Sequence, residues 1–242
     1  MNVIDLLTDP YDRKARLYPA LIVVLPVAGT AVVLLAMKVG VTETVLFLLV
    51  SCGGAFMLSQ LARDAGYRKQ PGLWKSWGGP PTDRMLSHSD TRLNTLVKKR
   101  YHAKLAQLVA ETKVPTAADE QNDPEGTKAV YAAWSHYLRT QTRDQKRFSL
   151  LFKENINYGH RRNLWGMRPV GIISTLLCCA VIGGWSWWQC RLACAIDKPL
   201  LICFVVDFIF LLLWLFVFTP RWVHIPAIAY SERLLEAVDQ LS

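Results

Sequence analysis

The sequence predicts an all-α membrane protein whose four transmembrane helices form two hairpins that flank a mostly helical cytoplasmic domain. Three observations support this fold class. Of the 242 residues, 52% are hydrophobic, yet the chain carries a net charge of +9. The apolar and the basic residues are separated along the chain. The apolar runs have the roughly 20 residues that a helix needs to cross a bilayer. The pattern excludes a soluble enzyme, a disordered chain and a small secreted disulfide protein.

Four apolar runs define the predicted spans, at residues 17–37, 44–62, 169–190 and 199–220. The turns inside the first pair and inside the second pair are short, so each pair is predicted to form an antiparallel hairpin. The predicted domains are a cytoplasmic N-terminus (1–16), a first hairpin (17–62), a basic cytoplasmic domain (63–168), a second hairpin (169–220) and an amphipathic cytoplasmic tail (221–242).

The distribution of Lys and Arg predicts the orientation of the spans. Of the 28 basic residues, 25 lie in the two termini and in residues 63–168, and only Lys38, Arg191 and Lys198 lie in the two short turns. Loops rich in Lys and Arg stay in the cytoplasm. We therefore expect both termini and the central domain on the cytoplasmic side of the membrane.

One charged residue, Asp207, lies in the middle of the fourth predicted span. A carboxylate at this depth costs at least about 2.5–3.5 kcal/mol, so it normally faces a partner, a cavity or a pore. The other spans contain no Lys or Arg, which leaves hydroxyl groups such as those of Ser51, Ser174 and Thr175 as partners within the chain. Either Asp207 stays protonated and joins helices by a hydrogen bond, or copies of it line the axis of an oligomer.

The central domain and the tail show helical patterns. Apolar residues recur at helical spacing over 91–112 and over about 127–155. Residues 66–81 are rich in Gly, Pro, Lys and Trp and predict a loop at the membrane surface. Residues 157–169 are interpreted as a linker before the third span. Residues 231–241 predict a short amphipathic helix that lies on the membrane or against the central domain.

Basic residues are concentrated in the central domain and in the linker, where they are suited to bind anions. The alternative is that they anchor the protein to anionic lipid headgroups. The predicted anion-binding residues are Arg161, Arg162, His160, Arg168, Arg139, Arg143, Lys146, Arg147, Lys98, Lys99 and Arg100.

Motifs for catalysis or metal binding are absent from the sequence, which contains no Gly-rich phosphate loop, G-x-S-x-G, H-E-x-x-H or C-x-x-C. The histidines lack metal-ligand spacing. We therefore expect no enzyme activity, no metal and no cofactor. Cys190 and Cys194 lie at the outer end of the third span, and the sequence leaves open whether they form a disulfide.

The layout of two hairpins around a basic helical domain resembles the small multi-span effectors of bacterial anti-phage defence systems. The resemblance implies a homo-oligomer in the bacterial inner membrane that is controlled by a nucleotide or oligonucleotide ligand and has a cytoplasmic signalling partner. It also implies that Asp207 lines a pore and that Arg161 and Arg162 bind the ligand. The alternative function is a membrane tether or scaffold that recruits a cytoplasmic partner or nucleic acid without catalysis.

Overall fold

The computed structural model of the protein describes residues 9–36, 41–193 and 198–241. All regular secondary structure in these ranges is helical, which confirms the all-α class. The helices are, in chain order, α1 (Pro10–Asp12), a π-helical segment (Arg13–Leu17), α2 (Tyr18–Ala36), α3 (Val41–Trp77), α4 (Pro81–Leu86), α5 (Thr95–Leu108), α6 (Ala117–Asn122), α7 (Pro124–Gln141), α8 (Ser149–Gly166), α9 (Arg168–Ala193), α10 (Lys198–Leu212), a second π-helical segment (Leu213–Val217), α11 (Pro220–Glu236) and a 3-10 turn (Ala237–Gln240).

The chain divides into two compact units. The first, called the apolar unit below, comprises Met1–Gln70 and Gly159–Val223. The second, called the polar unit, comprises Pro71–Tyr158 and His224–Ser242. Each unit therefore combines segments that are distant in the sequence.

Three described helical segments are long and apolar enough to cross a membrane, and they correspond to the first, third and fourth predicted spans. They are Pro10–Leu35, Arg168–Arg191 and Lys198–Val217. Helices α2, α9 and α10 pack on one another. The second predicted span, 44–62, lies in α3, where several side chains fall outside the described part of the structure, so it stays a prediction. The disulfide question also stays open, because Cys194 lies outside the described residues.

Helix α3 runs without interruption to Trp77, so the predicted loop over 66–81 is wrong for most of its length. Gly66 is not a helix breaker here but a packing residue: a Cβ at this position would lie 2.3 Å from Asn163 Oδ1 on α8. Pro71, which has no backbone N–H to donate, lies inside the helix, and the helix continues beyond it. The chain first turns at Gly78 and Gly79, which have positive φ angles of 78° and 129°.

The predicted long helix over 127–155 is two helices, α7 and α8. The first begins at Pro124 and is capped by Asp123, whose carboxylate accepts a hydrogen bond from the Gly126 amide at 2.9 Å. Ahead of α8, the Asp144 side chain accepts from the backbone N–H groups of Lys146 and Arg147, at 2.9 and 3.2 Å. This local capping competes with a continuous helix.

The predicted linker over 157–169 is also wrong, because α8 continues to Gly166 and α9 begins at Arg168. Gly166 explains the close packing of this region. A Cβ on Gly166 would lie 2.6 Å from the Gly66 nitrogen and 2.8 Å from the Ala65 carbonyl carbon. The backbones of α3 and α8 therefore meet in direct contact within the apolar unit.

The core of the polar unit is formed by α4, α5, α7, the start of α8 and the C-terminal segment. Trp134 and Leu105 are fully buried in it. The tail contributes Leu234, Leu235 and Val238, which are also fully buried. Of the two placements predicted for the tail, the structure supports packing against the domain.

His102 is a buried titratable group in this core and should make the polar unit sensitive to acid. The side chain is 2% exposed and its Nε2 donates to the Leu86 carbonyl at 2.8 Å. Burial lowers the pKa of His102 from 6.5 to about 4. In the unfolded chain the imidazole takes up a proton near pH 6.5 and in the folded chain only near pH 4. Stability is therefore lost as the pH falls through this window, by about 3 kcal/mol in full.

We expect the His102→Gln variant to lose this part of the pH dependence, because glutamine stays neutral and can still donate to Leu86. Thermal unfolding between pH 7.5 and pH 4.5 measures the effect. His136→Gln is the matched control, since His136 is exposed on α7. Equal pH profiles for the native protein and the His102→Gln variant would contradict the assignment.

Candidate functional site

Asp207 is the polar centre of the apolar unit. The residue is 1% exposed, and the residues between Lys198 and Asp207 and from Asp207 to the end of α10 are apolar. Thr30 on α2 donates a hydrogen bond from Oγ1 to Asp207 Oδ2 at 2.8 Å. The same hydroxyl lies 3.7 Å from the Cys203 sulfur, one turn before Asp207 on α10. A single threonine thus connects the first and the last described spans through polar contacts.

The partner of Asp207 differs from the hydroxyl groups suggested by the sequence. Ser174 and Thr175 both donate to the Gly171 carbonyl of their own helix, at 3.1 and 2.7 Å. These bonds satisfy their hydroxyls locally. The side chain of Ser51 lies outside the described part of the structure. Thr30 was missed, although it is the only Ser or Thr in the run 17–37 and that signal could have identified it.

A cavity of about 380 Å³ lies beside Asp207, between α2 and α10. Its wall is almost entirely apolar, and it includes Gly29, which leaves space next to Thr30. Asp207 and Cys203 are the polar groups of this wall. The arrangement places a carboxyl group beside free volume in the apolar unit.

The two arginines at positions 161 and 162, before the third span, bind other groups of the protein. Arg162 is 4% exposed, donates to Gln70 Oε1 at 3.0 Å and stacks 3.9 Å from the centre of the Tyr67 ring. Arg161 donates to the Trp222 carbonyl at 3.0 Å and covers the indole ring of the same residue. Their guanidinium groups therefore stabilise the apolar unit.

His160 and Arg168 also bind backbone carbonyls. His160 Nδ1 lies 2.8 Å from the Lys14 carbonyl oxygen, so Nδ1 carries the hydrogen and donates it. Burial lowers the pKa of His160, which favours this neutral form. Arg168 donates to the Trp214 and Leu215 carbonyls at 2.8 and 2.9 Å. Both acceptors belong to the π-helical segment Leu213–Val217, where the helical hydrogen-bond pattern changes.

In the polar unit, several predicted anion-binding residues have intramolecular partners as well. Lys98 is 5% exposed, and its ammonium group donates to the Ser87 carbonyl at 2.5 Å and to the Asp90 carbonyl. Burial lowers the pKa of Lys98. Arg100 pairs with Asp239 at 2.8 Å, and Arg147 donates to the Gln240 carbonyl, so both hold the C-terminal turn.

The other basic residues predicted for anion binding are exposed on the polar unit. They are Lys99, Arg139, Arg143 and Lys146. Arg139, Arg143 and Lys146 lie at the end of α7 and in the turn that follows it. The structure thus separates the predicted anion-binding set into side chains that bind other groups of the protein and a smaller group that faces solvent.

Comparison of the chain with protein-family models, with curated proteins and with solved structures finds no match. The described residues contain no group of three or more His, Cys, Asp or Glu side chains that could hold a metal ion. Function therefore has to be inferred from the geometry. Its most unusual feature is a carboxyl group buried among apolar helices.

Proposed function

We propose that the protein is an oligomeric membrane effector that forms a pore or disrupts the bilayer, and that it is no enzyme. In this proposal the chain spans the bacterial inner membrane four times, as two hairpins with both termini and the central domain in the cytoplasm. An anionic ligand, a nucleotide or oligonucleotide, controls the effector through the basic polar unit. A cytoplasmic signalling partner supplies the ligand, and the resemblance noted above suggests a role in anti-phage defence.

The observation that carries the proposal is the Thr30–Asp207 contact. An Asp near the centre of a span costs about 2.5–3.5 kcal/mol. One hydrogen bond between membrane helices returns about 0.6 kcal/mol on average and about 1.7 kcal/mol at most. Since a single bond from Thr30 does not offset the cost, an apolar side chain at this position would give a more stable protein. We infer that Asp207 serves function rather than stability.

The buried position of Asp207 supports a resting state. The Asp207 side chain is buried against Thr30 instead of lying on the surface of the apolar unit. Copies of Asp207 reach a pore axis only after α2 and α10 separate. We propose that activation breaks this hydrogen bond and exposes the carboxyl in the oligomer.

We therefore expect the Asp207→Leu variant to be more stable than the native protein by about 1 kcal/mol. We also expect this variant to be inactive. Activity is measured with a membrane-potential dye in bacteria that express the protein, before and after phage infection. We expect depolarisation by the native protein and none by Asp207→Leu or Asp207→Asn at equal protein level. Ser174→Ala is the matched control, because this intramembrane hydroxyl bonds only within its own helix.

The alternative function, a membrane tether or scaffold, is favoured by the internal hydrogen bonding of the basic residues around α8. A tether predicts that the native protein never depolarises cells, with or without phage. It also predicts that Asp207 only aids packing, so that Asp207→Leu keeps recruiting the same partner. Silence of the native protein under both conditions would move the assignment to this alternative.

A further inference from the structure

A second cavity, of about 820 Å³, lies in the polar unit between the end of α3, α4 and α7. Its volume falls within the 300–1,000 Å³ that is usual for small-molecule sites. Unlike the cavity beside Asp207, it is lined by several charged side chains. It is called the polar cavity below.

Two basic side chains that line the polar cavity lie on successive helices. Lys75 lies on the last turn of α3, and Arg84 lies on α4. Arg84 donates to the Trp77 carbonyl, which fixes its guanidinium group beside the glycine turn: a Cβ on Gly78 would lie 3.5 Å from Arg84 Nη1. Over residues 9–36, 41–193 and 198–241, no carboxylate forms an ion pair with Lys75 or Arg84.

The acidic side chains of the same cavity have other partners. Glu120 accepts from the Tyr131 hydroxyl at 2.7 Å and from the His88 amide at 2.8 Å, and such bonds keep the pKa of Glu120 below its usual range. Asp83 accepts from the Ser135 hydroxyl. Glu125 pairs with Lys128 at 2.8 Å. None of these three carboxylates forms an ion pair with Lys75 or Arg84.

We propose that the polar cavity binds a small phosphate ester, with its phosphate held by Lys75 and Arg84. A guanidinium group presents paired donors to phosphate oxygens, and an ammonium group adds a mobile positive charge. The rest of the ligand lies along α7, where Thr127 and the engaged carboxylates offer polar contacts. The inference rests on the proposed function in one respect, since it names the site and the ligand class through which the effector is controlled.

The helix α7 offers a matched pair of variants. Ala132 lines the polar cavity, whereas the next residue, Ala133, is exposed and does not line it. Ala132→Trp should fill the cavity, and Ala133→Trp adds the same side chain outside it. Lys75→Glu reverses the charge of one proposed phosphate-binding side chain, and Lys153→Glu makes the same change at an exposed position of the polar unit that does not line the cavity.

Binding is measured by calorimetry on the purified full-length protein in detergent. The probes are inorganic phosphate, ribose 5-phosphate and AMP, each phosphate ester with its matched unphosphorylated compound, ribose or adenosine. We expect a phosphorylated probe to bind at least tenfold more tightly than its partner. Ala132→Trp and Lys75→Glu should weaken binding at least tenfold, and Ala133→Trp and Lys153→Glu by less than twofold.

Failure of all phosphorylated probes to bind at millimolar concentration would overturn the proposal, as would binding that Ala132→Trp and Lys75→Glu leave unchanged. Binding of inorganic phosphate equal to that of both esters would show that the cavity holds an ion and not an ester. None of these results depends on membrane damage. The polar cavity and the effector activity can therefore fail independently.

Discussion

Gly166→Ala is expected to destabilise the apolar unit by about 3 kcal/mol, at the upper end of what overpacking usually costs. The new methyl group would lie 2.6 Å from the Gly66 nitrogen and 2.8 Å from the Ala65 carbonyl carbon. Both neighbours are backbone atoms of α3, so no side chain can rotate away. The contact can only be relieved if α3 and α8 move apart. Thermal unfolding in detergent should show a Tm lower by several degrees.

Gly54→Ala on α3 is the matched control for this prediction. A Cβ on Gly54 would meet no atom within 4 Å, and alanine is a better helix former than glycine. The control should be neutral or slightly stabilising. A Gly166→Ala variant as stable as Gly54→Ala would show that the two helices do not cross as closely as described.

Gly171→Ala is expected to destabilise the apolar unit by about 2–3 kcal/mol. The methyl group would lie 2.3–2.6 Å from the nearest ring atoms of Trp214, which is fully buried and packs edge-on against Phe218. Displacing the indole ring also strains the bond from Arg168 to the Trp214 carbonyl. Thermal unfolding measures the loss.

Gly183→Ala gives the comparison for Gly171→Ala on the same helix. A Cβ on Gly183 would meet nothing within 4 Å. Its Tm should stay within about 1 °C of the native value or rise. If Gly171→Ala unfolds at the same temperature as Gly183→Ala, the Trp214 ring does not pack against Gly171 as closely as described.

The positions of three apolar helices were predictable, because they follow from the composition of short segments. A run of about 20 apolar residues has the length and composition of a helix that crosses a bilayer. The partner of Asp207 was not predictable in the same way. Which hydroxyl reaches the carboxyl depends on how α2 and α10 pack, and only their tertiary contact brings Thr30 within 2.8 Å.

The errors over 66–81 and 157–169 have one physical origin. Glycine and proline usually end helices, so both segments were interpreted as loops. In the structure, Gly66 and Gly166 lie within helices. Because they lack side chains, the backbones of α3 and α8 can approach each other closely at these positions. The sequence alone does not distinguish a glycine that ends a helix from a glycine that allows another helix to pack closely.

The basic residues show a similar limit. Arg162 and Arg168 were predicted to bind an anion, and the structure shows them bonded to Gln70 and to carbonyls of a π-helical segment. A guanidinium group is suited to both tasks. The carbonyls that Arg168 binds lie in the last turn of a helical segment that ends at Val217, where carbonyl groups have no partner within the helix.

The most direct test of the effector proposal is ion flux through membranes that contain only the purified protein. Potassium-loaded liposomes are prepared with the native protein, with Asp207→Leu or without protein. Flux is followed with and without a small-molecule extract of phage-infected cells. The proposal predicts potassium release by the native protein, and release at the level of empty liposomes for Asp207→Leu. Equal release by the native protein and Asp207→Leu, or none by the native protein in either condition, would contradict it.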